Sequence, residues 1–446
     1  MPISHSRRFL FCSALLVIFV LLGVFLAACG NAEETSTSAA PTTAAPTTAA
    51  TTATTAAPET TTTAAPAATT TTAAAAQPYT FGMLFVGPYN DGGWSQANYE
   101  AGQYVVSKLP GAKMVYVDKA NSSDRPGTTV EQLAEQLVQQ GAKMIFFTSD
   151  DMKDGAIAFA KAHPDMPVEF TSGDSAWKDG EDFQNLPNVS DIMGRMEYGK
   201  MIAGVAAALT TKTGKIGYLG PLINDETRRL ASSVYLGARY AWVNYLAKDP
   251  KDLKFTVNWI GFWFNIPGVT SDPTQVADNF FNQGCDVVVS GIDTTEALAE
   301  AQKLNKAGKQ VYAVAYDWKG AIEQAPDIAL GIPYYNWGPE YLKAVTDAST
   351  GKWTSFWNWV APDWKNINDP DTSIIGFEKG KALSADASTK VDDFISKLAG
   401  GLNLWQGPLN LQDGTAYLKD GETATDQQIW YLPQLLQGME GQSVSK

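Results

Sequence analysis

Histidine and cysteine are nearly missing: 446 residues include two of the first and three of the second. His5 and Cys12 fall in an apolar N-terminal stretch, which leaves His163, Cys29 and Cys285 for the rest of the chain. A Ser-His-Asp or Cys-His constellation would need His163 in a cleft. It stands instead in "AKAHPDMP", at a predicted helix end, where a solvated cation facing the helix dipole is the ordinary role. No His/Cys cluster has zinc spacing and no HExxH occurs, so no metal or other cofactor is expected. Cys285, inside "GCDVVVSG", reads as a buried strand residue, and the thiols set up no disulfide framework. The phosphate cradles G-x-x-x-x-G-K-[ST] and G-x-G-x-x-G are absent too, which removes nucleotide hydrolysis and dinucleotide chemistry. Paired acids, as in glycoside hydrolysis, stay open, because their separation is a spatial quantity.

Positive charge is also scarce. There are 33 Lys and Arg against 47 Asp and Glu, a formal charge of −14. Loss of Arg7 and Arg8 with the N-terminal segment takes this to about −16. Nucleic acid is therefore not a partner, since phosphate binding calls for a basic face. The N-terminal segment joins "SRRF" to the apolar "LLVIFVLLGVFLA" and ends in "LAAC", the pattern of a secretory signal over residues 1–28. A single membrane-spanning helix is the alternative reading. Small residues at Ala27 and Ala28 resemble a bacterial lipoprotein cleavage box, which implies Cys29 as a lipid-modified anchor to the membrane. Residues 30–77 are almost all Thr, Ala, Pro and Ser, with Glu33, Glu34 and Glu59 the only charges. Such a segment buries too little apolar surface to offset its ordering entropy and is expected to be an extended spacer, spanning roughly 40 Å.

Beyond it, apolar β-branched runs alternate with segments of helical period. Strands are predicted at "TFGMLFV", "KMVYVD", "KMIFFTS", "MPVEFTS", "KIGYLG", "FTVNWI", "CDVVVSG" and "QVYAVAYD". Helices are predicted over 94–108, 129–140, 154–163, 194–209, 225–246, 273–283 and 295–306. This is the signature of α/β units with parallel sheets. A single eight-unit barrel is the second possibility. Two doubly wound lobes fit better, because the extended segment 188–193 has no helix of its own and runs straight into a long apolar helix and a fresh strand, as a crossover between sheets would.

In open parallel sheets ligands bind in the loops at the carboxyl ends of the strands. Those loops offer two kinds of side chain. Acids and amides recur at Asn90, Asp91, Asp150, Asp151, Asp174, Asp293, Asp317 and Asn336. Rings recur at Trp94, Trp177, Phe262, Trp263, Trp318 and Trp337. A cleft of flat rings and acceptors suits a small planar polar molecule. Each residue also has a plainer role: rings in "WIGFWFNI" as packing, Asp150 and Asp151 as a helix cap, Gly92 and Gly93 as a tight turn, and the tryptophans of "GKWTSFWNWVAPDW" as core. The coincidence of ring and acid in several loops goes beyond these.

Several separated stretches agree in order with one known pattern: "PYNDGGWSQANYEAG", "NVSDIMGRMEYGKMIAGVAAALTTKTGKIGYLG", "DPTQVADNFFNQGCDVVVSGIDTTEALAEAQKLNKAGKQVYAVAYD", "YYNWGPEY" and "LWQGPLNLQDG". From about Tyr79 to Gly441 the chain resembles the basic membrane protein family, substrate-binding lipoproteins of bacterial ABC importers. The resemblance implies a type I periplasmic-binding-protein fold, two α/β lobes joined by three crossovers, with 78–193 and 318–355 in lobe 1 and 194–317 and 356–446 in lobe 2. It implies a purine nucleoside or base as ligand, adenine in particular, a membrane permease as partner, and binding without catalysis. Trp94 and either Phe262 or Trp263 would sandwich the base, Asn90 and Asp91 would lie at the cleft mouth or the base edge, and Asp317 matches an acid that holds ribose hydroxyls. Trp177 and Asp293 join the expected site. Where nucleoside binders carry a lysine, this chain has Asn336 and Trp337, which shifts the expectation towards a free base. A sensory ectodomain of the same fold and an acid-pair secreted hydrolase are the alternatives.

Overall fold

The computed structural model describes residues 78–444. The signal segment 1–28, Cys29 and the spacer up to 77 lie outside the described residues. Strand and helix alternate from the start: β1 (Tyr79–Leu84), α1 (Trp94–Lys108), β2 (Ala112–Val117), α2 (Val130–Gln139), β3 (Ile145–Phe147), α3 (Lys153–Ala162), β4 (Val168–Thr171) and β5 (Val189–Gly194). A second series follows: α4 (Met196–Thr210), β6 (Lys215–Gly220), α5 (Asp225–Asn244), β7 (Lys254–Trp259), α6 (Pro273–Asn282), β8 (Val287–Ser290), α7 (Glu296–Lys306), β9 (Tyr312–Val314) and β10 (Ala329–Tyr335). The remainder is α8 (Gly338–Ser349), β11 (Trp357–Val360), β12 (Ile375–Lys379), α9 (Ala385–Ala399), the short hairpin β13 (Leu409–Asn410) and β14 (Ala416–Leu418), α10 (Asp426–Trp430) and β15 (Met439–Glu440).

The strands divide into two open sheets, ordered β2-β1-β3-β4-β5-β11 and β15-β7-β6-β8-β9-β10-β12, so a single barrel does not form. All pairings are parallel except β10 with β12 and the hairpin. Strands such as β8, "VVVS", are buried along their whole length, as a sheet covered by helices on both faces requires. Helix starts are written locally: Thr129 and Asn224 form capping boxes on α2 and α5, and Asp272 caps α6 ahead of Pro273.

The chain passes between sheets three times, after β5, after β10 and after β11. The expected crossings at 317 and 355 lie elsewhere. Residues 329–335 form β10 inside the second sheet, and β11, at 357–360, closes the edge of the first. Gly331 and Pro333 gave "GIPYY" the look of a loop. Pro333 has no N–H, but its carbonyl accepts from the Asp317 amide, and β12 pairs along the strand's other side. The three crossings are tied to one another: the Arg195 amide donates to the Val360 carbonyl and the Asn336 amide to the Ile374 carbonyl, each at 2.8 Å.

In the second lobe α4 and α5 pack backbone to backbone. A Cβ on Gly204 would lie 2.0 Å from the Val234 carbonyl oxygen, and one on Gly237 would lie 2.0 Å from that of Met201. Neither helix can retreat without opening the core that Val234, Ala203 and Ala238 fill, all fully buried. Gly237→Val is therefore expected to lower stability by about 3 kcal/mol, read as an earlier midpoint in urea unfolding; an unchanged midpoint would show that these helices are not in the contact described.

Candidate functional site

Both sheets have the order 2-1-3-4-5, which reverses direction between β1 and β3 in one and between β6 and β8 in the other. Loops leaving the carboxyl ends near these reversals face each other across a narrow cavity of about 20 Å³. The first lobe lines it with Trp94 after β1, Ser149 and Asp150 after β3, and Ser172 after β4. From the second lobe come Tyr218 of β6, Glu226 of α5, Trp263 after β7, Asp293 after β8 and Tyr316 after β9. That volume is room for about one water molecule, far below the roughly 300–1,000 Å³ of ligand clefts, so a ring system enters only when the lobes part.

The loop Gly87–Gly93 is held to its own lobe by Asp91, whose carboxylate accepts from the amides of Gly93 (2.8 Å), Ser95 (3.0 Å) and Gln96 (3.0 Å). It thereby caps α1. Burial raises its pKa to about 6, against the pull of those hydrogen bonds. Gly92, with φ of 79°, is a turn glycine. Gly93 has a different reason: a Cβ there would meet the carbonyl oxygen of Asp293 at 1.7 Å. The two lobes touch through bare backbone at this point. Next to it, the Trp94 indole N–H donates to the Thr148 carbonyl, and the ring stands edge-on to Tyr335 (5.2 Å) and Trp337 (5.4 Å). Its orientation is fixed from behind while it lines the cavity.

Carboxyl groups dominate the electrostatics. Asp150, Glu226 and Asp293 line the cavity, and no Lys or Arg does so among the described residues. Asp317 lies beside Tyr316, fully buried, with φ of 71° and neither carboxyl oxygen hydrogen-bonded among the described residues. Lys200 of α4 is also fully buried, donating to the Ser290 carbonyl at 2.9 Å and lying over the Tyr316 ring. Burial holds Asp293 and Asp317 well above the usual carboxylate range, with mutual repulsion adding to the rise at Asp293, and pushes Lys200 well below the usual amine range. Burial raises Glu226 to about 7, in spite of Arg229 nearby. Arg229 itself is committed to Glu197, Nε to Oε1, at 2.7 Å.

The expected site residues thus separate. Trp94, Trp263 and Asp293 share the cavity, and Asp317 stands directly behind it. Asp91 works as a cap, and Asn90 is exposed. Phe262 packs edge-on against Phe264 outside the lining. Asn336 spends its side-chain N–H groups on the Pro370 and Ser373 carbonyls, and Trp337 is wholly buried behind Trp94. Trp177 belongs to another contact between lobes: it stacks on Trp357 of its own lobe at 4.2 Å and on Tyr431 of the other at 5.8 Å. The Tyr431 hydroxyl donates to Asp174 there. Asp150, given a cap role from the sequence, lines the cavity and accepts from Asn224 of the opposite lobe at 3.3 Å, while Ser149 provides the cap.

Sequence reasoning missed Glu226, Lys200, Tyr218, Tyr316 and Ser172. Lys200 did leave a signal, a lone cation in the otherwise apolar "GKMIAGVAAAL" of α4. His163 pairs with Glu135 at the end of α3, away from the cavity, and burial pushes the Cys285 thiol up to about 11.

Residues 79–346 match the family model described as ABC transporter substrate-binding protein PnrA-like. A purine-binding protein of Brucella abortus is 28% identical over 357 residues, covering 78% of this chain and 89% of that one. A Haloferax volcanii protein named as an ABC transporter glucose-binding protein is 26% identical over 276 residues, 61% of this chain and 62% of its own length. Among solved structures, a solute-binding protein of an ABC transporter system from Aeropyrum pernix K1 superposes with a TM-score of 0.58 at 13% identity, over 75% of this chain and 93% of that one. At that identity the likeness speaks for the fold.

Because Glu226 is held near 7 in the folded chain and titrates at 4.5 ordinarily, the folded state keeps a proton that the unfolded state releases. The sign is that of a raised acid: its contribution is fully favourable below about 4.5 and is lost as pH rises towards 7. Melting temperature is expected to fall across that window, and Glu226→Gln to make the fall shallower. An identical slope in the variant would show that Glu226 is not the buried acid described.

Proposed function

The chain belongs to the family of PnrA-like ABC transporter substrate-binding proteins, and from that premise we propose that it captures a purine base or nucleoside, adenine above the others, and delivers it to a membrane permease. The observation that carries this is the chemistry of the cavity lining. Indole rings from opposite lobes, Trp94 and Trp263, meet there with Asp150, Glu226 and Asp293 and without a cation. A flat heterocycle can stack on the rings and donate its N–H groups to the acids, whereas a phosphorylated ligand would meet repulsion. Base stacking contributes roughly 1 to 3 kcal/mol per ring. Two rings with two hydrogen bonds to acids support micromolar affinity, about −8 kcal/mol, after ordering costs.

The purine-binding name of the Brucella relative agrees with this reading, and the glucose-binding name of the Haloferax relative sets the main competitor. Lobe closure buries the ligand and no bond in it is broken. Cys29 anchors the chain by lipid to the outer face of the membrane. No helix among the described residues is long and apolar enough to cross a membrane.

Thermal-shift screening followed by calorimetry is expected to show stabilisation by adenine or a related purine and none by glucose. Stabilisation by glucose alone would overturn the ligand. Trp263→Ala and Trp94→Ala are each expected to weaken binding by about 10- to 100-fold. Gly93→Val is expected to abolish high affinity while the ligand-free melting temperature changes little, because its side chain would hold the lobes apart.

A further inference from the structure

Among the groups that line the cavity, Glu226 and Asp293 differ from Asp150. Asp150 is engaged by Asn224 across the lobes, whereas neither Glu226 nor Asp293 makes a side-chain hydrogen bond among the described residues. Glu226 is 9% exposed and Asp293 5%. Two carboxyl groups so deeply buried, without partners and on one cavity wall, point at whatever occupies it.

The charges around Glu226 come from every element packed on it. On α5 itself Arg229 is nearest, and it is tied to Glu197 of α4. Lys200 of α4 faces the same region but is shared with Asp317 and Asp293. Asp150 approaches from the first lobe and Asp293 from the loop after β8, and the phenols of Tyr218, Tyr316 and Tyr335 lie within reach of its charge. Near it, then, Asp150, Glu197, Asp293 and Asp317 share Arg229 and Lys200, while Lys153, which acts on Asp150, is paired with Asp182, and Arg195, which acts on Glu197, is paired with Asp426. The cations cannot neutralise all these acids, so a further negative charge at Glu226 is opposed until something supplies N–H groups to it.

Building on the purine reading, we propose that Glu226 is a specificity-determining residue that accepts an N–H of the ligand as a carboxylate, so that capture at mildly acidic pH releases one proton. In the free protein the acid is held at about 7 by burial, so below that value it carries its proton. Docking of an N–H donor favours the ionised form; the carboxyl O–H bond breaks and the proton passes to the buffer. Affinity then rises with pH up to neutrality and levels off above it. A ligand presenting only acceptors at that edge would instead keep the proton on Glu226 and bind more weakly as pH rises. The same residue therefore separates edges that carry an N–H from edges that carry acceptors only in otherwise similar flat molecules.

The test is calorimetry of the wild-type protein with adenine near pH 6 in two buffers of different ionisation enthalpy, repeated near pH 8. Near pH 6 the heats are expected to differ in proportion to buffer enthalpy, giving about one proton released, and the affinity to rise by up to about tenfold per pH unit towards 7. Near pH 8 the two heats should coincide. 6-Methoxypurine, whose six-position oxygen and adjacent ring nitrogen are both acceptors, is expected to bind more weakly and without proton release. In Glu226→Gln, shown to be folded by its melt, the released proton should vanish. Adenine binding with no proton exchanged, or with affinity falling as pH rises, overturns the inference and leaves the purine reading in place. A proton that disappears in Asp293→Asn but persists in Glu226→Gln moves the role to Asp293 and overturns the assignment. Failure of adenine and every other purine to bind removes the purine reading itself, and this inference with it.

Discussion

Everything at the cavity depends on one contact in which side chains play no part. The backbone at Gly93 lies against the Asp293 carbonyl so closely that a single methyl would overlap it. Asp91 fixes the Gly93 segment to the first lobe through three amide hydrogen bonds, and the Asp293 amide is held by the Trp263 carbonyl in the second. The contact therefore joins two braced loops, and its closeness sets the distance between the walls. Trp94 follows Gly93 in sequence, and Asp293 and Trp263 flank the other side, so the residues offered to a ligand are the immediate neighbours of the touching backbone. A bulkier loop would move all of them at once.

The second constraint is electrostatic. Burying carboxyl groups around two committed cations is unfavourable, and the folded chain meets the cost by keeping protons on some of the acids. The resulting wall can present either a donor or an acceptor at nearly the same place, depending on where the protons reside. Lys200 keeps this arrangement from being purely acidic, since its ammonium sits behind Tyr316 among Asp317, Asp293 and Glu226. An apolar helix carrying one buried lysine is thus part of the electrostatics of the site although the lysine does not line the cavity.

Most of the architecture was legible in the sequence, because strand-length apolar runs and helical periods alternate cleanly; α1 begins and ends where its pattern does. The failures have specific causes. β10 was hidden by Gly331 and Pro333, residues that mark turns unless a neighbouring strand compensates, and β11 was hidden because "WNWV" looks like packing in any setting. At the site, Trp94, Trp263 and Asp293 stood out because ring and acid in a strand-to-helix loop have few other uses. Trp177, Asn336 and Trp337 have the same composition and a different place, which no one-dimensional pattern distinguishes. Glu226 follows Asn224 and Asp225 at a helix start and looks like a cap residue. Tyr218 and Tyr316 look like strand residues. Only the facing of two sheets reveals which of them share a cavity.

The three crossings leave from strands that are neighbours in each sheet, β5 beside β11 and β10 beside β12, and amide-to-carbonyl bonds tie them together. A single connector would let the lobes swivel and twist. Three abreast form a strip that bends across its width and resists torsion, so relative motion reduces to one coordinate. The Gly93–Asp293 contact and the Trp177–Tyr431 stack, on separate parts of the lobe interface, are two points that such a coordinate must bring together at once.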